Sequence, residues 1–468
     1  MERVEARPVP GAPQGGQGPG AVPEADLTAL HTVTTGTVLR NRKRILKNPL
    51  PFHRENFERH GHTFRVQIGL GSPVVFTRHP DLIRHILQKN HRGYSKSTLQ
   101  TRDLAKYIGH GILTSEGKFW KRHRRLIQPA FHKEKLEGLL GLMFQTIRAE
   151  LASLPEGREF DVFPHMSDLA FQVVARSLFS AGDLRRDMRR LQQITQDNQE
   201  MLIREMRQPY LVWWFRLTGR IRRHLSLSAD ARSLLDTIIS KRVASGQEKH
   251  DLLDMLLAAR YEDGTPMTRA QLIDEVMVLF TAGHETTANA LSFALHLLAC
   301  NPEVQDKAAA QARSLDWERT PPMALLQGLP LVRQCVEEAM RLYPPVYVID
   351  RVSLREETLG GQRFPKGTTW LLSVVELHRL PQLWEEADAF RPERFASENP
   401  RRPSEHFYPF GAGPRMCIGN NFAMYEMVLA LGWMLHQFQI NTPVRSLEIQ
   451  PLISLKPGQV PLSLIPRP

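Results

Sequence analysis

Three cysteines in 468 residues leave no disulfide framework, and Cys300 and Cys335 sit inside apolar helical patterns that read as core, so nothing argues against a reducing compartment. The N-terminus has no run approaching the roughly 18 apolar residues that crossing a bilayer takes. It also lacks the apolar stretch of a secretory signal. A soluble, cytoplasmic, monomeric protein without a transmembrane anchor is therefore expected. No glycine fingerprint for flavin or nicotinamide follows a strand, there is no internal repeat, and no second histidine or carboxylate stands at zinc spacing around His284. The opening residues lack apolar anchors: Pro8, Pro10, Gly11, Gly15, Gly16, Gly18 and Gly20 crowd together. Such a composition forms no core, so residues 1–25 are expected to be a disordered extension.

Acidic side chains are the scarcer charge, 49 against 61 basic, a net +12. The basic clusters Arg40–Arg44, Lys121–Arg125, Arg185–Arg190 and Arg220–Arg223 are scattered. None lies in a nucleic-acid-binding motif. They are either solvated surface or a positive face that receives an acidic electron-transfer protein, since complementary potentials raise encounter rate.

What is present is mainly helical, with small β-sheets, in one unit over residues 26–468. His62–Ile68 and Pro73–Arg78 read as a hairpin, and Asp81–Lys89 as a short helix. Helical periodicity runs from about Lys118 to Leu256, with breaks near Pro129, Pro155, Pro164 and Pro209. Trp213, Trp214 and Phe215 stand in a row without polar alternation; a mobile lid, ordinary core and a membrane-surface contact all fit them. Thr268 and Gln271 have capping-box spacing, and the apolar run that follows ends at Asn301-Pro302. That makes a helix of about 32 residues, roughly 48 Å long, which must cross the whole molecule. Its centre, Gly283-His284-Glu285-Thr286, is polar where a central helix should be least so. Val332–Leu342 is a helix stopped by Pro344-Pro345. Val346–Val352, Thr368–Glu376 and Leu447–Leu464 contain strand-like pieces.

The third cysteine differs from the other two. Phe410, Gly411, Gly413, Arg415, Cys417 and Gly419 place it in a glycine-rich bend just before a helical pattern over Asn421–Leu435. Glycines allow tight turning and close approach to a flat ligand, and N–H groups of the loop and helix start would stabilise a thiolate.

This loop resembles the haem-binding signature of the cytochrome P450 family at Phe410, Gly413, Arg415, Cys417 and Gly419. The resemblance extends, in the family's order and at about its spacing, to Trp120-Lys-Arg-His-Arg124, Ala282-Gly-His-Glu-Thr-Thr287, Glu338-Ala-Met-Arg341 and Pro392-Glu-Arg-Phe395. It implies the cytochrome P450 fold, with haem b (iron protoporphyrin IX) between the long central helix and the cysteine-loop helix. Cys417 is the implied metal ligand. Arg415, Trp120, Arg124 and Arg351 are the implied propionate partners, and Phe410, Gly411 and Gly419 belong to the cofactor-binding loop. Glu338, Arg341 and Arg394 are the implied lock of the region that carries this loop.

Monooxygenation is the implied reaction: one oxygen atom enters a C–H or C=C bond and the other leaves as water. Thr286 is expected to bond the Ala282 carbonyl and provide the oxygen-side hydrogen bond. Glu285, adjacent and therefore on a different face, links solvent to the proton chain or else pairs with a basic residue. Ala282 and Gly283, both small, would let the helix bulge into a groove for oxygen and water. Electrons would come from NAD(P)H through a separate ferredoxin or flavodoxin with its reductase. The segments expected to line the pocket are rich in Leu, Ile, Val, Phe and Trp, which favours a lipophilic substrate such as a terpenoid or fatty acid. Arg102 either anchors a carboxylate or is plain surface. An H2O2-driven peroxygenase and a non-enzymatic haem-thiolate sensor are the alternatives; the first would not need the Glu285–Thr286 pair, and the second would oxidise nothing.

Overall fold

The computed structural model describes residues 25–67, 72–180, 185–399 and 405–467. The extension expected over residues 1–25 lies outside them except for Ala25. The central helix runs Arg269–Cys300, 32 residues. Its start is set by a capping box in which the Thr268 hydroxyl accepts the Gln271 N–H and the Gln271 side chain accepts the Thr268 N–H at 2.9 Å. Such a cap contributes about 1 kcal/mol, whereas each fully buried large apolar side chain contributes about 1.5–3 kcal/mol. Leu291, Phe293, Leu295 and Leu298 are all buried. Packing therefore holds the helix, and the cap decides where it begins.

The helix Phe163–Phe179 lies along the central helix, backed by Leu140–Leu151. Pro164 falls in the first turn, where its missing N–H costs nothing, so it starts a helix instead of breaking one. The C-terminal helix Asn420–Gln437 packs against Leu140–Leu151, Pro302–Arg313 and Pro330–Leu342. The last of these stops at Leu342, ahead of the two prolines.

One sheet has six strands in the spatial order Thr32–Val33, Thr63–Val66, Val74–Thr77, Thr369–Ser373, Val348–Ser353 and Tyr94–Ser95. The expected hairpin pairs Thr63 with Thr77 and Val66 with Val74. The strand expected to reach Glu376 stops at Ser373, where Val374–Leu377 turns helical. Strand Val348–Ser353 alternates strictly, and Ile349, Arg351 and Ser353 share its buried face; period two thus carries a guanidinium inward. A second sheet joins Phe438–Asn441, Pro461–Pro466 and Glu159–Asp161, and Ile449–Pro451 pairs with Leu455–Pro457 in a short hairpin.

Helices Arg185–Arg207 and Arg220–Ser245 are joined by a turn and the short helix Val212–Leu217. At 100° per residue, three consecutive aromatics cannot all point one way. Phe215 is buried, while Trp213 is 62% and Trp214 44% exposed. Among the described residues no helix is long and apolar enough to cross a membrane.

Candidate active site

Gly411 and Gly413 have φ of +70° and +69°, the left-handed region that favours glycine. A Cβ at Gly413 would lie 2.1 Å from the Leu87 carbonyl oxygen, so backbone rests on backbone there. A Cβ at Gly419 would meet open space; its missing side chain serves no protein packing. The Cys417 N–H donates to the Phe410 carbonyl at 2.9 Å, and the sulfur accepts the Gly419 N–H. Desolvation pushes the thiol pKa up, while that N–H and Arg124 pull it down. Yet Cys417 is solvent-accessible. A sulfur both accessible and desolvated lines an internal space.

On the central helix, Ala282, Glu285 and Thr286 are accessible while Thr281, His284 and Thr287 are buried. Ala282, Glu285 and Thr286 stand at i, i+3 and i+4 in one accessible stripe, so Glu285 and Thr286, expected on different faces, flank the same one; Asn289, a turn further on, is buried. The Thr286 hydroxyl donates to the Ala282 carbonyl at 2.9 Å. Glu285 accepts the Ser454 hydroxyl at 2.6 Å and has no ion-pair partner among the described residues. Gly283 does not open a groove: a Cβ there would touch Val174 at 3.0 Å, so its smallness lets the helix Phe163–Phe179 approach. His284 points into that same interface, edge-on to Phe171, with Nδ1 3.2 Å from the Phe280 carbonyl. Burial lowers its pKa.

A cluster of cations adjoins the cysteine loop. Arg415 forks onto Glu116, each nitrogen–oxygen pair 2.5 Å apart, with its guanidinium 4.7 Å from the Trp120 ring centroid. Arg124 donates to the Met416 carbonyl at 2.8 Å. Arg351 is 8% exposed; its hydrogen bond goes to the Asp350 carbonyl at 2.7 Å, and no carboxylate pairs with it among the described residues. Burial, then Arg415, lowers its pKa to about 10. Lys96 is buried with its ammonium on the carbonyls of Ile112, Leu113 and Ser115 at 3.0, 2.6 and 3.2 Å. Burial, then Arg415, brings its pKa down to about 7, although three carbonyls without another donor favour the charged form. The Asp350 carboxylate is occupied by Ser97 and Gln100.

Glu116 is spent on Arg415, and Asp350 offsets Arg351 and Lys96 by charge alone without pairing with either, so the cations Arg124, Arg351, Arg415 and Lys96 outnumber the carboxylates Glu116 and Asp350. A buried, uncompensated positive charge costs several kcal/mol, and a carboxylate-bearing ligand would offset it. The donor set fits haem: a single thiol in a glycine cradle, one glycine opening onto free space, and surplus cations for propionates. Trp120, Arg124, Phe410, Gly411, Arg415, Cys417 and Gly419 come together in one place, and Arg351 joins them through its charge interaction with Arg415. Thr286 and Glu285 form a separate group on the central helix. Lys96 and Glu116 were missed by sequence reasoning. Glu116 was legible as the acidic residue just before a helix, but Lys96 carries no signal because its burial comes from the fold.

Behind the loop, Glu338 receives Arg341 Nε at 2.7 Å and Nη2 at 2.8 Å, Arg394 Nε at 3.2 Å and the Arg391 N–H at 2.9 Å. Arg341 also donates to the carbonyls of His378, Ala387 and Ala389. The His378 ring accepts the Tyr408 N–H at 2.9 Å, and burial lowers its pKa to about 3, which keeps it a neutral acceptor. The Glu338 lock thus reaches the start of the cysteine loop.

Residues 34–462 match the family model described as Cytochrome P450. The chain is 30% identical over 445 residues to the cyclooctat-9-en-7-ol 5-monooxygenase of Streptomyces melanosporofaciens, covering 93% of this chain and 96% of that one. It is 30% identical to the pentalenene oxygenase of Streptomyces avermitilis over 88% of this chain and 92% of the relative. It is also 31% identical to cytochrome P450 CYP72A616 of Paris polyphylla over 79% and 75%. With the thiol loop, the Glu338–Arg341 lock and the threonine stripe on one framework, the chain belongs to the cytochrome P450 family, as a haem-thiolate monooxygenase of bacterial type.

Proposed function

We propose that the protein oxygenates a terpenoid or comparably lipophilic substrate, by C–H hydroxylation or C=C epoxidation. Electrons come from NAD(P)H through a separate ferredoxin or flavodoxin. The observation that carries this reading is the Thr286 hydroxyl held on the Ala282 carbonyl beside Glu285, on the accessible stripe of the central helix. Haem, held through Cys417, supplies the chemistry of oxygen activation. The chain's own work is to place protons: the Thr286 hydroxyl keeps a hydrogen bond aimed along the stripe, and the Glu285 carboxyl exchanges protons with water. Cations beside the loop hold the propionates, and apolar side chains exclude water from the substrate. Two relatives named for oxygenating cyclooctat-9-en-7-ol and pentalenene support the substrate class. A peroxygenase would have no use for this acid–alcohol pair.

Electron delivery uses the cysteine side. Arg122 and Arg125 of helix Gly117–Ile127 are paired with Asp263 and Glu262, whereas Lys118 and Lys121 are exposed and available to an acidic partner. The test starts from the dithionite-reduced spectrum with carbon monoxide, where a strongly red-shifted Soret band is expected. Pentalenene and cyclooctat-9-en-7-ol are then titrated into the ferric protein and turned over with a ferredoxin pair or with H2O2. Product from the ferredoxin route that falls sharply in Thr286→Ala bears out the reading. Product from H2O2 alone, indifferent to Thr286, overturns it in favour of a peroxygenase.

A further inference from the structure

The turn between strands Ile449–Pro451 and Leu455–Pro457 reaches the central helix through the Ser454 side chain. Ser454 is 5% exposed. Its Oγ accepts a hydrogen bond from Asn289 Nδ2 at 2.9 Å and donates to Glu285 Oε1 at 2.6 Å. A hydroxyl has one proton; because the Asn289 group that meets it is the amide nitrogen, which only donates, that proton is committed to the carboxylate. Asn289 is fully buried, with Oδ1 unpartnered, so the residue is positioned for this contact and not for its own full satisfaction.

The turn itself is pinned from several directions. The Leu455 N–H donates to the Pro345 carbonyl at 2.8 Å, Tyr347 Oη to the Leu452 carbonyl at 2.9 Å, and Arg207, at the end of helix Arg185–Arg207, to the Pro451 carbonyl at 2.9 Å. Ser454 is thus preorganised, which is what a group that positions another requires. Glu285, by contrast, has three side-chain torsions and no ion pair among the described residues.

We propose that Ser454 is a positioning residue for proton delivery. Its hydroxyl fixes Glu285 Oε1, leaving Oε2, which has no protein partner among the described residues, as the oxygen that exchanges protons. Oε2 takes a proton from a hydronium ion of the solvent, which becomes water, and passes it to a water on the Thr286 side, returning to carboxylate. The proposal rests on the reading of Glu285 as a proton relay, so its test separates the two.

Full-length, haem-loaded Ser454→Ala, Ser454→Thr, Glu285→Gln and the Ser454→Ala/Glu285→Gln double variant are compared with the parent. One readout is the shift in Tm across the cycle, which reports the contact itself. The other is the H2O2 released per NAD(P)H oxidised, with a surrogate ferredoxin and reductase and ethoxycoumarin as reporter. We expect non-additive Tm shifts, about a tenfold loss of coupled turnover in Ser454→Ala with a matching rise in H2O2, no further rise in the double variant, and recovery in Ser454→Thr. Additive Tm shifts overturn the proposal. So does a parent-like H2O2 fraction in Ser454→Ala while Glu285→Gln raises it, which leaves the Glu285 relay standing. A parent-like fraction in Glu285→Gln removes the relay and the proposal with it.

Discussion

Glu338 and Glu116 each receive the fork of an arginine, Arg341 in one case and Arg415 in the other. Around Glu338 the accounting closes: every Arg341 nitrogen has a partner, and the carboxylate takes in Arg394 and the Arg391 N–H besides. Around Glu116 it does not, because Arg351 and Lys96 are buried beside Arg415 with no carboxylate paired to either among the described residues, and only the more distant charges of Asp350 and Glu116 to offset them. A closed network rigidifies whatever it joins. An open one is destabilising until an anion arrives, and binding energy then adds to folding stability. The two clusters use the same residue types, and their state of completion tells scaffold from receptor.

The most damaging way to break the comparison is Glu338→Ala. Removing one partner from a buried network costs about 3–5 kcal/mol, a large share of a typical stability. Little soluble, haem-loaded protein is expected, as read from yield and the carbon monoxide spectrum; a fully loaded soluble variant would contradict the assignment. Arg351→Ala should do the reverse in haem-free protein, leaving Tm unchanged or raised. It should also weaken haem binding by about tenfold to a hundredfold, since a charge-assisted hydrogen bond is worth about 1.5–3 kcal/mol. Equal losses with and without haem would place Arg351 in the scaffold.

Lys96 gives a subtler contrast. Its pKa is 10.5 ordinarily and about 7 in the folded chain. Between those values the unfolded state holds the extra proton, so stability of the haem-free protein rises with pH from about 7 toward 10.5, and below 7 the penalty is constant. In Lys96→Met the urea midpoint should lose that slope; a slope that persists assigns it to other groups. The smallest effect is expected at Arg102, whose side chain is 73% exposed and paired with its neighbour Asp103. Arg102→Ala should leave Tm essentially unchanged, as expected of an exposed ion pair, and leave any fatty-acid-induced ferric shift intact. Loss of that shift would revive the carboxylate-anchor reading.

Much of this architecture was legible because it is written in short spacings. The capping box, the helix Arg269–Cys300, the glycine bend at Cys417 and the Glu338–Arg341 pair each depend on residues a few positions apart. Contacts across the fold were not legible. Ser454 meets Glu285 from 169 residues away, and nothing near either position announces it. Lys96 becomes a buried cation only once residues 112–115 wrap it in carbonyls. The aromatic row at 213–215 was ambiguous for another reason: helical rotation splits it, so neither core nor surface describes it as a whole.

The close approach of Gly413 to Leu87 has a practical consequence. Leu87 belongs to the π-helical turn His85–Lys89, and that turn is tied down where His85, Asn90 and Tyr94 grip Glu357 at 2.7, 2.9 and 2.6 Å. Backbone resting on backbone has no side-chain cushion to absorb a shift. Slack introduced at Glu357 would reach the cysteine loop as a change in the sulfur's surroundings. In the loaded protein the absorption spectrum would then report strain at strand Glu357–Leu359, far from Cys417 in the sequence.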